Sequence, residues 1–69
     1  MYQVFAFYPS LGIKVRVTEY KSKSEAFEYC GALRLCDTPY LMHKNGKVID
    51  IATYDLTREQ MAEMIEKYL

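Results

Sequence analysis

The chain opens on a strand whose apolar side chains fall on both faces. Residues 2–8 read YQVFAFY, and the four residues from Val4 to Phe7 are all apolar. Because successive side chains of a β-strand point to opposite faces of the sheet, a strand with one face in water alternates apolar with polar residues. The first strand therefore needs cover on both of its faces.

The second strand does alternate. Residues 13–20 read IKVRVTEY, and the turn-forming segment PSLG at 9–12 separates this run from the first strand. The pattern predicts a β-hairpin, because cross-strand partners share a face and a short loop fixes the register. A four-residue loop pairs Tyr8 with Ile13, Ala6 with Val15, and Val4 with Val17.

A helix follows this hairpin. Ser22 and Glu25 have the spacing of a capping box, and the apolar residues recur at helical intervals at Ala26, Tyr29, Cys30 and Leu33. Since a residue before proline avoids the helical region, Pro39 places the helix end near Leu35 or Cys36.

The second half repeats this order. Asn45 and Gly46 predict a type I′ turn that pairs Lys44 with Lys47, His43 with Val48, Met42 with Ile49, and Tyr40 with the region of Ile51. Thr57 and Gln60 form a second capping box, with Leu56 placed to pack on Met61. An apolar stripe of a second helix follows at Met61, Met64, Ile65 and Tyr68.

An offset of 34 positions superimposes the two halves without a gap. Gly12 falls on Gly46, Tyr20 on Tyr54, and Glu25 on Glu59. We therefore expect one α+β domain over residues 1–69, built from a ββα unit at 1–36 and a second at 37–69. Its predicted architecture is ββαββα, pseudo-duplicated, with a four-stranded antiparallel sheet and two helices on one face.

From Thr38 onward the chain resembles, in outline, the terminal hairpin and helix of the thioredoxin fold. The shared features are a Thr-Pro pair entering a strand, an Asn-Gly turn and an amphipathic helix. The first half departs from that fold, because it lacks a strand–helix–strand order and the chain contains no C-x-x-C motif.

The residues predict no enzyme and no cofactor or metal site. His43 has only Asp50 as a nearby acid, and the spacing of Cys30 and Cys36 suits neither a redox pair nor a zinc site. The chain has no glycine-rich phosphate loop. It also lacks an apolar run of membrane-spanning length and a secretory signal, so we expect a cytoplasmic protein with reduced cysteines.

Protein binding is the function class that remains. With both helices on one face, the other face of the sheet exposes an apolar patch of Phe5, Phe7, Leu41 and Val48. Lys14, Arg16 and His43 form its predicted rim, and Tyr20 and Tyr54 are supporting contacts where a strand passes into a helix. We expect a non-catalytic module that is an inhibitor, adaptor or regulator of another protein, or that forms a homodimer.

The same face carries an alternative interpretation. Aromatic rings on an open sheet, flanked by lysine and arginine, can stack the bases of single-stranded nucleic acid. Nine basic and nine acidic residues give no net charge, which argues against a broad phosphate-binding surface. Protein binding is therefore preferred.

Overall fold

The structure is a computed structural model that describes residues 1–8 and 14–68, with Tyr68 as backbone only. It contains six elements in the order β1 (Tyr2–Tyr8), β2 (Lys14–Tyr20), α1 (Lys23–Leu35), β3 (Tyr40–Lys44), β4 (Lys47–Ala52) and α2 (Arg58–Tyr68). The strands form one antiparallel sheet of order β2-β1-β3-β4. The predicted α+β class and ββαββα order are confirmed. The predicted turn at 9–12, the place of Ile13 and the side chain of Tyr68 lie outside the described residues.

The two helices cover opposite faces of the sheet. Alternate residues of β1 separate into two apolar clusters: Val4 and Ala6 pack with α1, whereas Phe5 and Phe7 pack with α2. The prediction that both helices lie on one face is wrong. The physical reason is the run at residues 4–7, because a strand that is apolar on both sides needs a helix on each side.

The first hairpin is shifted by one residue from the predicted register. Tyr8 pairs with Lys14 and Ala6 with Arg16, so Val15 and Val17 lie opposite Phe7 and Phe5. This register moves the two valines to the α2 face, where they form apolar cross-strand pairs with the phenylalanines. Lys14 and Arg16 consequently lie on the α1 face, opposite to the face predicted for them.

The second hairpin confirms the predicted turn but not the whole register. Asn45 and Gly46 both have positive φ, at 53° and 79°, as a type I′ turn requires. The pairs Lys44–Lys47 and His43–Val48 are confirmed, and a β-bulge then shifts the ladder. Its remaining pairs are Met42–Asp50, Leu41–Ile51 and Tyr40–Ala52, so the predicted pairs of Met42 with Ile49 and of Tyr40 with Ile51 are wrong.

The two ββα units share an element order but not a hand. To superimpose the first unit on the second, the strand direction, the left-to-right order of the strands and the face that carries the helix must all be reversed. A rotation reverses only two of these three directions, so it cannot superimpose the units. The buried helix positions differ accordingly: Phe27 is 38% exposed, whereas Met61, which follows it by 34 residues, is fully buried. The repeat is therefore one of sequence pattern and not of superimposable structure.

Side-chain and backbone caps fix the helix ends. The Ser22 hydroxyl accepts the Glu25 amide at 3.5 Å, and Thr57 and Gln60 form the full predicted capping box at 2.9 and 3.1 Å. At the end of α1, Thr38 N–H donates to Leu33 and Asp37 N–H to Arg34, which is a Schellman motif. Asp37 occupies its left-handed position with a φ of 51°.

Candidate protein-binding edge

The predicted apolar patch is the second core of the molecule. Phe5, Phe7 and Leu41 are 8%, 0% and 9% exposed, and they pack against Met61 and Met64 of α2. The prediction that these three side chains form an open apolar patch is wrong, because α2 covers the face that was expected to be open. The sheet therefore has no bare face, and its exposed parts are its two outer strands, β2 and β4.

The predicted rim is divided between these two strands. Lys14 and Arg16 lie on β2, whereas His43 and Val48 lie side by side on β3 and β4. The His43 ring packs edge to face on Phe5 at a centroid distance of 5.2 Å, and Val48 is 45% exposed. The structure therefore does not bring the predicted site residues together as one surface.

Three predicted site residues do share one surface. Lys14, Arg16 and Tyr20 are alternate residues of β2 on the α1 face, since Ala6, the partner of Arg16, packs with α1. Lys14 and Arg16 are exposed, and Tyr20 is half-buried. Neither cation forms an ion pair with any residue that the structure describes.

A groove lies between this surface and α1. Its volume is about 300 Å³, and we call it the tyrosine groove, defined by Tyr20, Glu25, Glu28, Tyr29 and Ala32. The rings of Tyr20 and Tyr29 are 5.8 Å apart and tilted by 47°. Burial, together with the charges of Tyr29 and Glu25, raises the pKa of Tyr20. Two aromatic rings beside two carboxylates can bind a cationic group.

The backbone of β2 is the most regular exposed edge. All seven residues from Lys14 to Tyr20 pair with β1 in unbroken register, and the segment contains no glycine or proline. An outer strand leaves alternate N–H and C=O groups without a ladder partner, which allows another strand to pair with it. On its α2 face, Val17 is 37% exposed. β4, the other outer strand, is interrupted by its bulge.

Tyr54 lies at a second depression, distant in sequence from the other predicted site residues. It is 45% exposed, has a φ of 48°, and its hydroxyl donates to the Arg34 carbonyl at 3.5 Å. We call this depression of about 230 Å³ the loop cleft, defined by Phe7, Tyr8, Cys36, Asp37, Thr38, Pro39, Tyr54, Asp55 and Leu56. Tyr20 and Tyr54 therefore do not form a common surface, although they occupy matching places in the sequence repeat.

The sequence did not predict a polar network at the end of α1. The hydroxyl of the fully buried Tyr40 donates to Asp50 Oδ2 at 2.7 Å and accepts from Arg34 Nε at 2.8 Å. Arg34 also approaches Asp50 Oδ1 at 3.5 Å. Burial and the Asp50 hydrogen bond raise the pKa of Tyr40. The bulge creates this network, because regular pairing would turn Asp50 to the other face.

The two cysteines lie in different environments. Burial raises the pKa of the Cys30 thiol to about 11, whereas Cys36 is exposed. Over residues 1–8 and 14–68, no group of three or more histidine, cysteine or acidic side chains could hold a metal ion. Neither described helix is long and apolar enough to cross a membrane. No family model matches the chain, and searches of curated proteins and of solved structures found no match.

Proposed function

We propose that the protein is a non-catalytic protein-binding module that binds an extended segment of its partner along the outer edge of β2. The observation that carries the proposal is the unbroken seven-residue register of this outer strand. An added strand would satisfy the free backbone groups of β2, and main-chain hydrogen bonds of this kind supply affinity with little demand on sequence.

The side chains beside β2 would provide specificity. Alternate residues of an added strand point to the two faces of the sheet. Those on the α1 face would meet Arg16, Tyr20 and the tyrosine groove, whereas those on the α2 face would meet Val17 and Glu19. The expected partner segment is therefore a strand with polar or cationic residues on one face and small apolar residues on the other.

The nucleic-acid alternative has lost its supporting surface. It required the rings of Phe5 and Phe7 on an open sheet face, and both rings are buried under α2. Exposed cations remain at Lys14 and Arg16, but the groove at the other end of β2 carries the acidic Glu25 and Glu28. This arrangement favours a peptide partner over a phosphate backbone.

An adaptor, inhibitor or regulator in the cytoplasm is the cellular role that we propose for such a module. Strand addition needs neither a cofactor nor a catalytic group, and it can join a small domain to a larger target. The two free cysteines, one of them exposed, suit a reducing compartment.

Peptides selected from a random ten-residue display library test this proposal. We expect the selected peptides to alternate in polarity, to shift the amide NMR signals of residues 14–20, and to slow hydrogen exchange there. Val17→Lys should weaken their binding at least about tenfold if they carry apolar residues opposite Val17. Val48→Lys, an exposed valine of the other outer strand, is the matched control. Selected peptides that shift only the amide NMR signals of β4 or of the loop cleft would contradict the proposal.

A further inference from the structure

We infer that the strand that pairs with the β2 edge is β2 of a second copy of this chain. This inference rests on the proposed function, since it names the partner for the same edge. The resulting homodimer would have a continuous eight-stranded sheet, with the two outer β2 strands joined at a twofold axis.

The charge distribution along β2 is the first argument. The cations Lys14 and Arg16 lie in its first half, and the tyrosine groove with Glu25 and Glu28 flanks its last residue, Tyr20. In an antiparallel pair of identical strands, the first half of one strand lies beside the second half of the other. Each protomer would therefore place its cations at the aromatic and acidic groove of its partner, twice in one symmetric interface.

The twofold symmetry of the proposed dimer determines which faces of the two sheets meet. A twofold axis perpendicular to the sheet reverses strand direction and preserves the faces, so cations on the α1 face meet the α1 face of the partner. The register that uses all seven residues of β2 pairs Val17 with Val17, Arg16 with Thr18, and Lys14 with Tyr20 of the other copy. The exposed Val17 side chains would then cover each other on the α2 face.

The protein already contains one pair of the proposed kind. Lys44 of β3 is the antiparallel cross-strand partner of Tyr2 on β1, on the same α1 face. Its ammonium lies 4.8 Å from the centroid of the tyrosine ring and donates to the hydroxyl at 3.2 Å. A Lys14–Tyr20 pair across the dimer axis would repeat this geometry, with Glu25 of the tyrosine groove as an additional counter-charge.

The other outer strand does not fit a second copy in this way. β4 carries the bulge, and its acidic residue, Asp50, already accepts a hydrogen bond from Tyr40 and lies 3.5 Å from Arg34. In an antiparallel pair of two β4 strands that uses all six residues, Lys47 would lie beside the apolar Ala52 of the other copy, so no pair like that of Lys14 with Tyr20 would form. The structure therefore favours β2 over β4 as the dimer strand.

Sedimentation equilibrium of the full chain, from about 1 μM to about 1 mM, tests the inference, because small interfaces are weak. We expect a monomer–dimer equilibrium in this range. Lys14→Glu/Arg16→Glu and Glu25→Lys/Glu28→Lys should each weaken self-association at least about tenfold, since each homodimer then has like charges at both contacts. An equimolar mixture of the two variants should form a heterodimer, because both of its contacts pair opposite charges. A mixture that stays monomeric while the natural chain dimerises would overturn the inference.

A second pair of variants does not depend on the charge reversals. Val17→Lys places two lysines against each other at the axis and should abolish the dimer, whereas Val48→Lys should leave it unchanged. Circular dichroism checks that each variant is folded. A natural chain that is monomeric at about 1 mM, yet still binds library peptides at residues 14–20, would overturn the inference and leave the proposed function standing. A natural chain that neither dimerises nor binds library peptides at residues 14–20 would overturn both the inference and the proposed function.

Discussion

Removal of the Tyr40 hydroxyl should destabilise the fold more than its single oxygen atom suggests. The hydroxyl hydrogen-bonds to two charged groups at 2.8 and 2.7 Å, and the side chain is fully buried. A hydrogen bond to a charged group contributes about 1.5–3 kcal/mol. Arg34 and Asp50 are partly exposed and already approach at 3.5 Å, so direct pairing and water would recover part of this loss. We therefore expect Tyr40→Phe to lower the free energy of unfolding by about 2 kcal/mol.

Urea unfolding followed by circular dichroism measures this loss. The midpoint should fall while the dependence of the free energy on urea concentration stays constant, because the exposed surface on unfolding changes little. Tyr2→Phe is the matched control, since its hydroxyl only accepts from the exposed Lys44 and should contribute less than about 0.5 kcal/mol. Equal effects of the two substitutions would refute the reasoning.

A double-mutant cycle locates the effect in the network. If the Tyr40 hydroxyl acts through Asp50, the losses of Tyr40→Phe and Asp50→Asn should not add, and their coupling should be at least about 0.5 kcal/mol. Additive losses would mean that the hydroxyl stabilises the protein without Asp50.

Three further perturbations follow from the packing, the helix end and the buried thiol. Phe7→Ala should cost about 3–5 kcal/mol and unfold much of the population, because the side chain is fully buried and a chain of this size has about 3–10 kcal/mol in total; a native-like circular dichroism spectrum and melting curve would contradict this. Asp37→Gly should raise the free energy of unfolding by about 0.5–1 kcal/mol and Tm by about 2–8 °C, since glycine adopts positive φ without steric cost; a lower Tm would show that the aspartate carries a compensating interaction. Folding raises the pKa of the Cys30 thiol from 9.0 to about 11. Between these pH values the native state binds the thiol proton more strongly than the unfolded state, so the free energy of unfolding should fall as the pH rises from about 9 to about 11. The urea midpoint should therefore drop less from pH 8 to pH 11 in Cys30→Ala, although Tyr40 adds a separate loss above pH 10; equal drops would exclude a contribution from the thiol.

The elements of the fold could be predicted because their signals are local. Two capping boxes, an Asn-Gly turn and a proline after the first helix act within a few residues, and the structure places helix and strand ends accordingly. Which face each helix covers depends on the order of the strands in the sheet, and local sequence patterns do not specify that order. The apolar run at residues 4–7 of β1 was nevertheless a usable signal, because only a central strand is covered on both faces, whereas β2 alternates apolar with polar residues.

The candidate site could be predicted only in part, for a related reason. Lys14, Arg16 and Tyr20 were identified as binding residues, but a one-residue register shift decides which face they occupy. No local pattern marks the bulge that turns Asp50 toward Tyr40. The tyrosine groove joins β2 to α1, so its recognition required the packing of α1 against the sheet.

The apolar run at residues 4–7 predicted cover on both faces of β1, and α2 provides the second cover. Because a helix covers each face of the sheet, a binding surface is to be sought at its edges, β2 and β4. The edges differ: β4 is bulged, whereas β2 is regular and carries its cations and its aromatic groove at opposite ends. A strand with cations near one end and an aromatic and acidic groove near the other has two complementary ends, and an antiparallel copy of itself would satisfy both at once. The proposed self-pairing therefore rests on the order of residues along β2, in which Lys14 and Arg16 precede Tyr20, and not on its apolar content.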